Sequence, residues 1–334
     1  MKRKTTRQLS VILLVAMSFA LFNFSIYHIF TKRCLNSYGA DMQAKSVELD
    51  EYLPFEKDSK VVKVNALLEL FGELPVIDGA AALYPVMSGI VQAAYPTASV
   101  SFDGTDFTET SRLQMNNTRG AYKNIVDGKS DLILCASPSA EQLTYAQKKG
   151  VELEFVPIGK DAFVFVVSRE NPIESLTAEQ IRGIYTGTYT RWSDVGGDNE
   201  RIASLTRNEG SGSQTAMLRF MGKKKIKKYR NTFLGHAIGF SFRYYVSDIV
   251  KDGTLKLIAV NGIAPGAENI RSGTYPLVSE FFAVYRKGEQ NPNVQKIVSW
   301  LLSEEGQDMI EKTGYIGVRE KDKQKESREE REEE

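Results

Sequence analysis

The stretch Arg207–Thr215 reads RNEGSGSQT and joins two segments of different character. The apolar run Ile202–Thr206 before it is typical of a short buried strand, and Ser211–Met221 after it is predicted to be a helix. Gly210 and Gly212 allow the backbone to turn tightly and to approach a ligand closely. A strand, a glycine-containing loop and a helix in this order indicate an α/β fold.

The same loop has the composition of an anion-binding helix start. Ser211 and Ser213 offer hydroxyl and backbone N–H groups where the helix dipole favours negative charge. Arg207 adds a guanidinium whose planar donors suit a tetrahedral oxyanion. An ordinary helix N-cap beside a surface arginine is the competing interpretation, and the loop alone does not separate the two.

Outward from this loop, short apolar runs alternate with helical segments. We predict strands at Leu74–Ile77, Ala98–Phe102, Asp131–Cys135, Glu152–Pro157 and Ala162–Val167. We predict helices at Pro85–Ala94, Thr118–Val126, Ala140–Lys148 and Ala178–Tyr185. The alternation continues through Leu255–Val260, Phe281–Tyr285 and Val294–Leu302. This pattern is typical of parallel sheets covered by helices on both faces, and a chain of 334 residues is long enough for two lobes.

Composition excludes several function classes. The chain carries 43 basic and 42 acidic side chains, a formal net charge of +1, so no nucleic-acid partner is predicted. Two cysteines and two histidines are too few for a disulfide framework or a metal centre. Gly210-Ser211-Gly212 is not a nucleophile elbow, and no Gly-x-x-x-x-Gly-Lys loop is present. We therefore predict no metal or cofactor, and neither serine-based hydrolysis nor nucleotide hydrolysis has support in the sequence.

Near the N-terminus, Leu9–Phe30 is an apolar run without charge, between four basic residues and the pair Lys32-Arg33. Its residues, rising about 1.5 Å each, span about 33 Å as a helix, close to the thickness of a hydrocarbon core. We expect an uncleaved anchor that leaves the rest of the chain outside the membrane; a cleaved secretory signal is the alternative. Cys34 lacks the small apolar residues that precede a lipoprotein cysteine, and we expect an unmodified thiol there.

A second loop of interest is Asp78–Pro85, which reads DGAAALYP. Small residues follow the first predicted strand, and Pro85 suits the first turn of a helix, where a missing N–H costs little. Unpaired backbone N–H groups at this helix start can bind another edge of an anion. On its own this is an ordinary strand-to-helix loop. It can take part in anion binding if the fold places it opposite Arg207–Thr215 across a cleft.

Together these segments resemble the phosphate-binding proteins of ABC transporters, which have the type II periplasmic-binding-protein fold. The resemblance runs from about Leu74 to Val318. It is carried by Asp78–Pro85, Asn117–Ser139, Asn171–Gly197, Arg207–Thr215, Asn261–Gly273 and Tyr275-Pro276-Leu277. The match at Asn171–Gly197, NPIESLTAEQIRGIYTGTYTRWSDVGG, is more specific than the short glycine motifs.

The resemblance implies two lobes joined by crossing segments, with an anion held between them. The site residues that it implies are Arg207, Ser211, Gly212, Ser213, Thr118, Asp131 and the backbone N–H groups of Ala82 and Leu83. A carboxylate beside the anion accepts a hydrogen bond from protonated phosphate and repels sulfate, which has no proton to donate at neutral pH. The resemblance places the family's first-loop hydroxyl at or next to Ala82, so one ligand to the anion is missing.

We therefore expect a two-lobed α/β protein of this fold with an N-terminal transmembrane helix. The predicted divisions are 1–33 for the basic N-terminus and anchor or signal segment, 34–72 for a stalk, 73–165 and 261–318 for lobe 1, 166–260 for lobe 2, and 319–334 for a charged disordered tail. The expected function is capture of phosphate or a related tetrahedral oxyanion at the outer face of the cell membrane, by a monomer that delivers it to an ABC transporter permease. A membrane-tethered sensor or assembly module of the same fold, with weak or lost anion binding, is the alternative.

Overall fold

The computed structural model describes residues 41–42, 49–227 and 236–319. The predicted anchor at 9–30, Cys34 and all but the first residue of the predicted tail lie outside these ranges. Within them, every helix is too short or too polar to span a bilayer.

Strands and helices alternate along the described chain, as the sequence pattern indicates. The strands are β1 (Asp41–Met42), β2 (Ile77–Gly79), β3 (Leu132–Ala136), β4 (Leu153–Ser168), β5 (Ser175–Leu176), β6 (Ala203–Ser204), β7 (Thr206–Arg207), β8 (Ala237–Phe242), β9 (Leu255–Leu257), β10 (Ala259–Val260), β11 (Val278–Arg286) and β12 (Ile316–Gly317). The α-helices are α1 (Tyr84–Ala94), α2 (Asn117–Val126), α3 (Ala140–Lys148), α4 (Ala178–Thr186), α5 (Gly212–Met221), α6 (Ala267–Arg271), α7 (Pro292–Leu301) and α8 (Glu304–Thr313).

The main sheet is mixed, which corrects the expectation of parallel sheets. Its strands follow the order β2-β3-β11-β4-β8-β6, and β9 and β12 also pair with β4. The pairs β2–β3 and β6–β8 are parallel, but β11 and β4 run antiparallel to each other and to their outer neighbours β3 and β8. These two central strands carry the chain between the lobes. They are antiparallel neighbours, so they do not need the crossover helix that connects parallel strands.

Strand β4 belongs to both lobes. Its first part pairs with β11, from Leu153 opposite Arg286 to Ala162 opposite Val278, and residues 163–167 pair with β8. A separate hydrophobic core surrounds each part of the strand. The first contains buried residues such as Ile90, Leu134 and Ile297, and the second contains Phe165, Ile181 and Phe240. The crossing of β4 and β11 therefore marks the junction of the lobes.

These cores divide the chain differently from the predicted lobe boundaries. Ile270 and Tyr275 are buried in the second core, so residues 261–277 pack with lobe 2 and not with lobe 1. Phe163 is also in the second core, whereas most of the π-helical turn Tyr245–Val250 packs with the first, through Tyr245, Ile249 and Val250. The difference arises because the chain packs with lobe 2 as far as Val278 and rejoins the core of lobe 1 along β11, at Phe281. Near the C-terminal end of the described chain, Ile316 is buried in the second core again.

Residues 49–72 of the predicted stalk are a component of lobe 1. Leu49, Tyr52 and Val61 are buried in its hydrophobic core. The Tyr84 hydroxyl donates a hydrogen bond of 2.9 Å to the Leu49 carbonyl, and Phe55 N–H donates one of 2.6 Å to Gln92 Oε1. Residues 49–72 are therefore folded onto lobe 1, and the stalk interpretation is wrong for them.

Candidate anion-binding site

A cavity of about 290 Å³ lies between the lobes. Lobe 1 contributes residues 80–83, the start of α2 and the end of β3, and lobe 2 contributes the loop before α5 and the end of β8. Seven of the predicted site residues line it: Ala82, Leu83, Thr118, Arg207, Ser211, Gly212 and Ser213.

The first wall is the helical turn Ala81–Leu83 that leads into α1. Leu83 N–H donates a 2.8 Å hydrogen bond to the Ala80 carbonyl, so it is not available to an anion as predicted. The N–H groups of Ala81 and Ala82 precede the first bond of this turn and have no acceptor within it. The turn therefore offers N–H groups to the cavity without any side-chain hydroxyl.

The second wall is the start of α2, where Thr118 places a buried hydroxyl. Asp78, at β2 and fully buried, holds this helix start in place. Its carboxylate accepts hydrogen bonds from the Asn116 N–H (2.8 Å), the Asn116 amide (3.0 Å) and the Asn124 amide (2.9 Å). Burial raises the pKa of Asp78, and these hydrogen bonds partly offset the rise. Sequence reasoning missed this supporting residue.

The third wall is the start of α5 in lobe 2. Ser211 is the N-cap, and its hydroxyl oxygen accepts a 3.2 Å hydrogen bond from Gln214 N–H. The Gln214 side chain in turn accepts a 2.9 Å bond from Arg207 N–H, which fixes β7 to the helix. The N–H groups of Gly212 and Ser213 lie in the first helical turn, where they have no intrahelical acceptor. They are the donors that this wall presents to a ligand.

Arg207 supplies a positive charge to the cavity. Burial lowers the pKa of its guanidinium, and a hydrogen bond with the Tyr245 hydroxyl opposes that shift. An arginine stays protonated at neutral pH even when its pKa falls from so high a value. The charge is therefore present, and its partial desolvation strengthens its attraction for an anion.

Asp131 is not part of this cavity, which corrects the predicted site. It directly precedes β3, and its carboxylate accepts hydrogen bonds from Val76 N–H at 2.8 Å and from Arg286 at 3.0 Å. The opposite end of β3, Ala136, lines the cavity. Five residue steps along the extended chain separate Asp131 from Ala136 by about 17 Å, so Asp131 is too far away to contact the anion.

The cavity has a different buried carboxylate, Asp161, which sequence reasoning missed. Asp161 accepts hydrogen bonds from Ala162 N–H at 2.8 Å and from Tyr244 N–H at 3.2 Å. Burial raises the pKa of this carboxyl to about 6, although the nearby Arg243 guanidinium opposes the shift. In sequence Asp161 follows Gly159-Lys160 and lies between the strands predicted at Glu152–Pro157 and Ala162–Val167, which is typical of a polar turn, so no local signal marked it as a site residue.

The arrangement suits a compact oxyanion. Three helix starts, several hydroxyl-bearing residues and Arg207 meet in one cavity, and Arg119 adds a second guanidinium to the lining. Glu209 and Glu280 also line it as exposed side chains. His236 does not line the cavity; its imidazole lies 3.8 Å from Glu200. The site therefore has donors for binding an anion, but it does not bring a serine and a histidine together for nucleophilic chemistry.

A cleft of this kind between two α/β lobes is a typical location for a small-molecule binding site. The chain belongs to the PBP superfamily domain family, whose model matches residues 76–305.

Curated relatives with sequence similarity include the phosphate-binding protein PstS of Borreliella burgdorferi, which is 24% identical over 179 residues. That alignment covers 48% of this chain and 64% of the relative, and the alignment with PstS of Bacillus subtilis covers 61% of the latter. The chain therefore spans less than two thirds of these two proteins. Protein SphX of Synechococcus elongatus is 24% identical over 73% of this chain and 83% of its own length.

Two solved structures share the fold. One is a structure from Clostridium perfringens of a protein assigned as a phosphate ABC transporter substrate-binding protein, with phosphate bound. It is 25% identical, the match covers 73% of this chain and 98% of that protein, and the TM-score is 0.58. The other is an ABC-type phosphate transport receptor from Vibrio cholerae, 22% identical, covering 72% of this chain and 98% of its own, with a TM-score of 0.53.

Proposed function

We propose that this chain is an extracytoplasmic solute-binding protein that captures phosphate, or a related tetrahedral oxyanion, and delivers it to an ABC transporter permease. The observation that carries the proposal is the meeting of three helix starts and Arg207 in one cavity between the lobes. The relatives named as phosphate-binding proteins and the phosphate held by the Clostridium perfringens structure support the choice of anion. The protein acts as a monomer and not as an enzyme.

Isothermal titration of the full chain in detergent with phosphate, sulfate, molybdate and tungstate tests this function. Phosphate is expected to bind most tightly, because Asp161 can accept a hydrogen bond from a protonated oxyanion and opposes one without a proton. Binding of none of the four anions would reject the transport function. Tighter binding of molybdate or tungstate would keep the class of protein and change its substrate.

An N-terminal anchor completes the proposal. The uncharged run at 9–30 is long enough to span a bilayer, and the basic residues before it favour an N-terminus inside the cell. The cavity would then lie outside the membrane, tethered close to a permease.

A tethered sensor of the same fold is the second candidate. Two features favour it. Residue 82 is an alanine, at or next to the position where the family resemblance implies a hydroxyl, and β1 pairs with β7, the strand that carries Arg207. The segment nearest the proposed anchor is thereby attached to the anion site. Millimolar or weaker phosphate binding, without a requirement for the protein in phosphate uptake by cells, would favour this function over transport.

A further inference from the structure

The two lobes contact each other directly at the rim of the cavity. Gln142 Nε2, on α3 of lobe 1, donates a 3.2 Å hydrogen bond to the Gly210 carbonyl of lobe 2. Arg219 Nη2, on α5 of lobe 2, donates a 3.0 Å hydrogen bond to the Pro138 carbonyl of lobe 1. Both bonds connect groups on opposite sides of the cleft, so opening the cleft must break them.

Gln142 is held in the orientation that this contact requires. Ser139 and Gln142 form a capping box at the start of α3: Gln142 Oε1 accepts a 2.8 Å bond from Ser139 N–H, and Gln142 N–H donates to the Ser139 hydroxyl at 3.2 Å. Since the oxygen of the side-chain amide is occupied within the helix, the amide nitrogen points outward to Gly210. The donor is therefore pre-oriented, and little side-chain entropy is lost when the cleft closes.

The acceptor belongs to the anion-binding loop itself. Gly210 has a φ of 78°, a conformation that favours glycine, and lies one residue before Ser211, the N-cap of α5. A Cβ at Gly210 would lie 3.3 Å from the Arg119 side chain, and one at Gly212 would lie 3.4 Å from Thr118 Oγ1, both of lobe 1. The lobes thus meet at the loop whose N–H groups face the cavity.

We propose that Gln142 is a positioning residue that holds the lobes closed over the bound anion through the Gly210 carbonyl, without contacting the anion. This role rests on the proposed anion-binding function. Because the bond forms in the closed state and is lost in the open state, it slows opening and therefore slows release of the anion. Its loss is expected to raise the phosphate dissociation rate about tenfold and to change the association rate little.

The variant Gln142→Glu separates this role from a structural one. At pH 7.5 the glutamate is ionised, retains the oxygen that caps Ser139 N–H and adds favourable charge at a helix start, so α3 stays folded. It replaces the donor facing Gly210 with an acceptor, which repels the carbonyl. The matched control is Gln180→Glu, because Thr177 and Gln180 form the same capping box at α4, away from the cavity.

Stopped-flow measurement of phosphate release, with a thermal melt of each ligand-free protein, gives the test. Faster release from Gln142→Glu, with release from Gln180→Glu as in the parent and melting temperatures within about 2 °C, supports the role. Equal release rates in all three proteins would overturn it.

A readout without phosphate keeps this inference distinct from the proposed function. Spin labels at Lys148→Cys on lobe 1 and Asp198→Cys on lobe 2, in a chain with Cys34→Ser, report the distance between the lobes of the full-length protein. If the parent binds no phosphate, the proposed function fails, but Gln142→Glu is still expected to lengthen this distance relative to Gln180→Glu. Identical distance distributions would then overturn the role of Gln142.

Discussion

Asp161 Oδ1 and Arg243 Nε lie 3.6 Å apart at the junction of the two lobes. Asp161 is on β4 where that strand passes from β11 to β8, and Arg243 follows β8 and donates to the Gly314 carbonyl at 2.8 Å. Arg243 Nε has no hydrogen-bond partner in the described part of the chain, so the ion pair lacks a direct hydrogen bond. Burial therefore outweighs the attraction of the guanidinium, and the pKa of Asp161 is raised.

This raised pKa predicts how stability depends on pH. With a pKa of about 6 when folded and about 3.9 when unfolded, Asp161 binds its proton more tightly in the folded state. Its favourable contribution is complete below pH 4 and is lost as the pH rises to 6, a fall of about 3 kcal/mol in the free energy of unfolding. Denaturant unfolding of the parent and of Asp161→Asn at pH 4, 5, 6 and 7 measures this contribution as the difference between their free energies of unfolding. A difference between the two that does not vary over this range would contradict the prediction.

Arg207→Ala tests the positive charge of the cavity. Losing a charge-assisted contact of about 1.4 kcal/mol or more is expected to weaken phosphate binding at least tenfold. Arg201→Ala, which removes an exposed arginine outside the cavity lining, is expected to bind as the parent does. Titration calorimetry of the three proteins gives the comparison. Parent-like affinity in Arg207→Ala would place the anion elsewhere.

The helix starts of the cavity were predictable because their signals are local. Ser211 caps α5 and Gly210 adopts a positive φ, and each property depends on residues within one turn of the chain. The strand predicted at 98–102 is wrong because that prediction used only local apolar residues. Its apolar residues pack on the core of lobe 1 without a partner strand, apart from one bridge between Phe102 and Phe107. An apolar run indicates burial but does not supply a partner strand.

The carboxylates show what local sequence leaves undetermined. Asp131 lies one residue before β3 and Ala136 ends it, and only the direction of that strand in the folded sheet decides which end faces the cleft. Asp161 reaches the cavity because β4 crosses between lobes and meets Tyr244, which is 83 residues further along the chain. The first position depends on the direction of a strand in the folded sheet and the second on the crossing of distant strands, and the spacing of residues encodes neither.

Asp131→Asn is therefore expected to affect stability and not binding. It removes the ionic part of the bond to Arg286 and exchanges an acceptor-only group for an amide, at a cost of about 1–3 kcal/mol. Thermal melts should show a lower midpoint, while phosphate titration should give the affinity of the parent. An unchanged melting midpoint with a tenfold weaker phosphate affinity would show that Asp131 does belong to the anion site.

The anchor proposed for residues 9–30 predicts retention in the membrane. The full chain expressed in bacterial cells should stay in the membrane fraction through high-salt and alkaline carbonate washes, since an apolar helix of this length is removed by detergent and not by salt. Mass spectrometry should find the N-terminal residues intact and no lipid on Cys34. A processed N-terminus near Ala40, or release into the medium, would instead identify a secretory signal.

Ala82→Ser tests whether the first wall of the cavity lacks a ligand. Ala82 lines the cavity at a helical turn whose first N–H groups have no acceptor within the turn. The Tyr315 hydroxyl donates a hydrogen bond to the Ala82 carbonyl and fixes the backbone there. A serine hydroxyl can donate to an anion held by the turn, and one neutral hydrogen bond of about 1 kcal/mol tightens phosphate binding about fivefold. Ala140→Ser, at an exposed position on α3, is the control. Titration calorimetry that gives equal affinities for parent, variant and control would show that the anion does not contact residue 82.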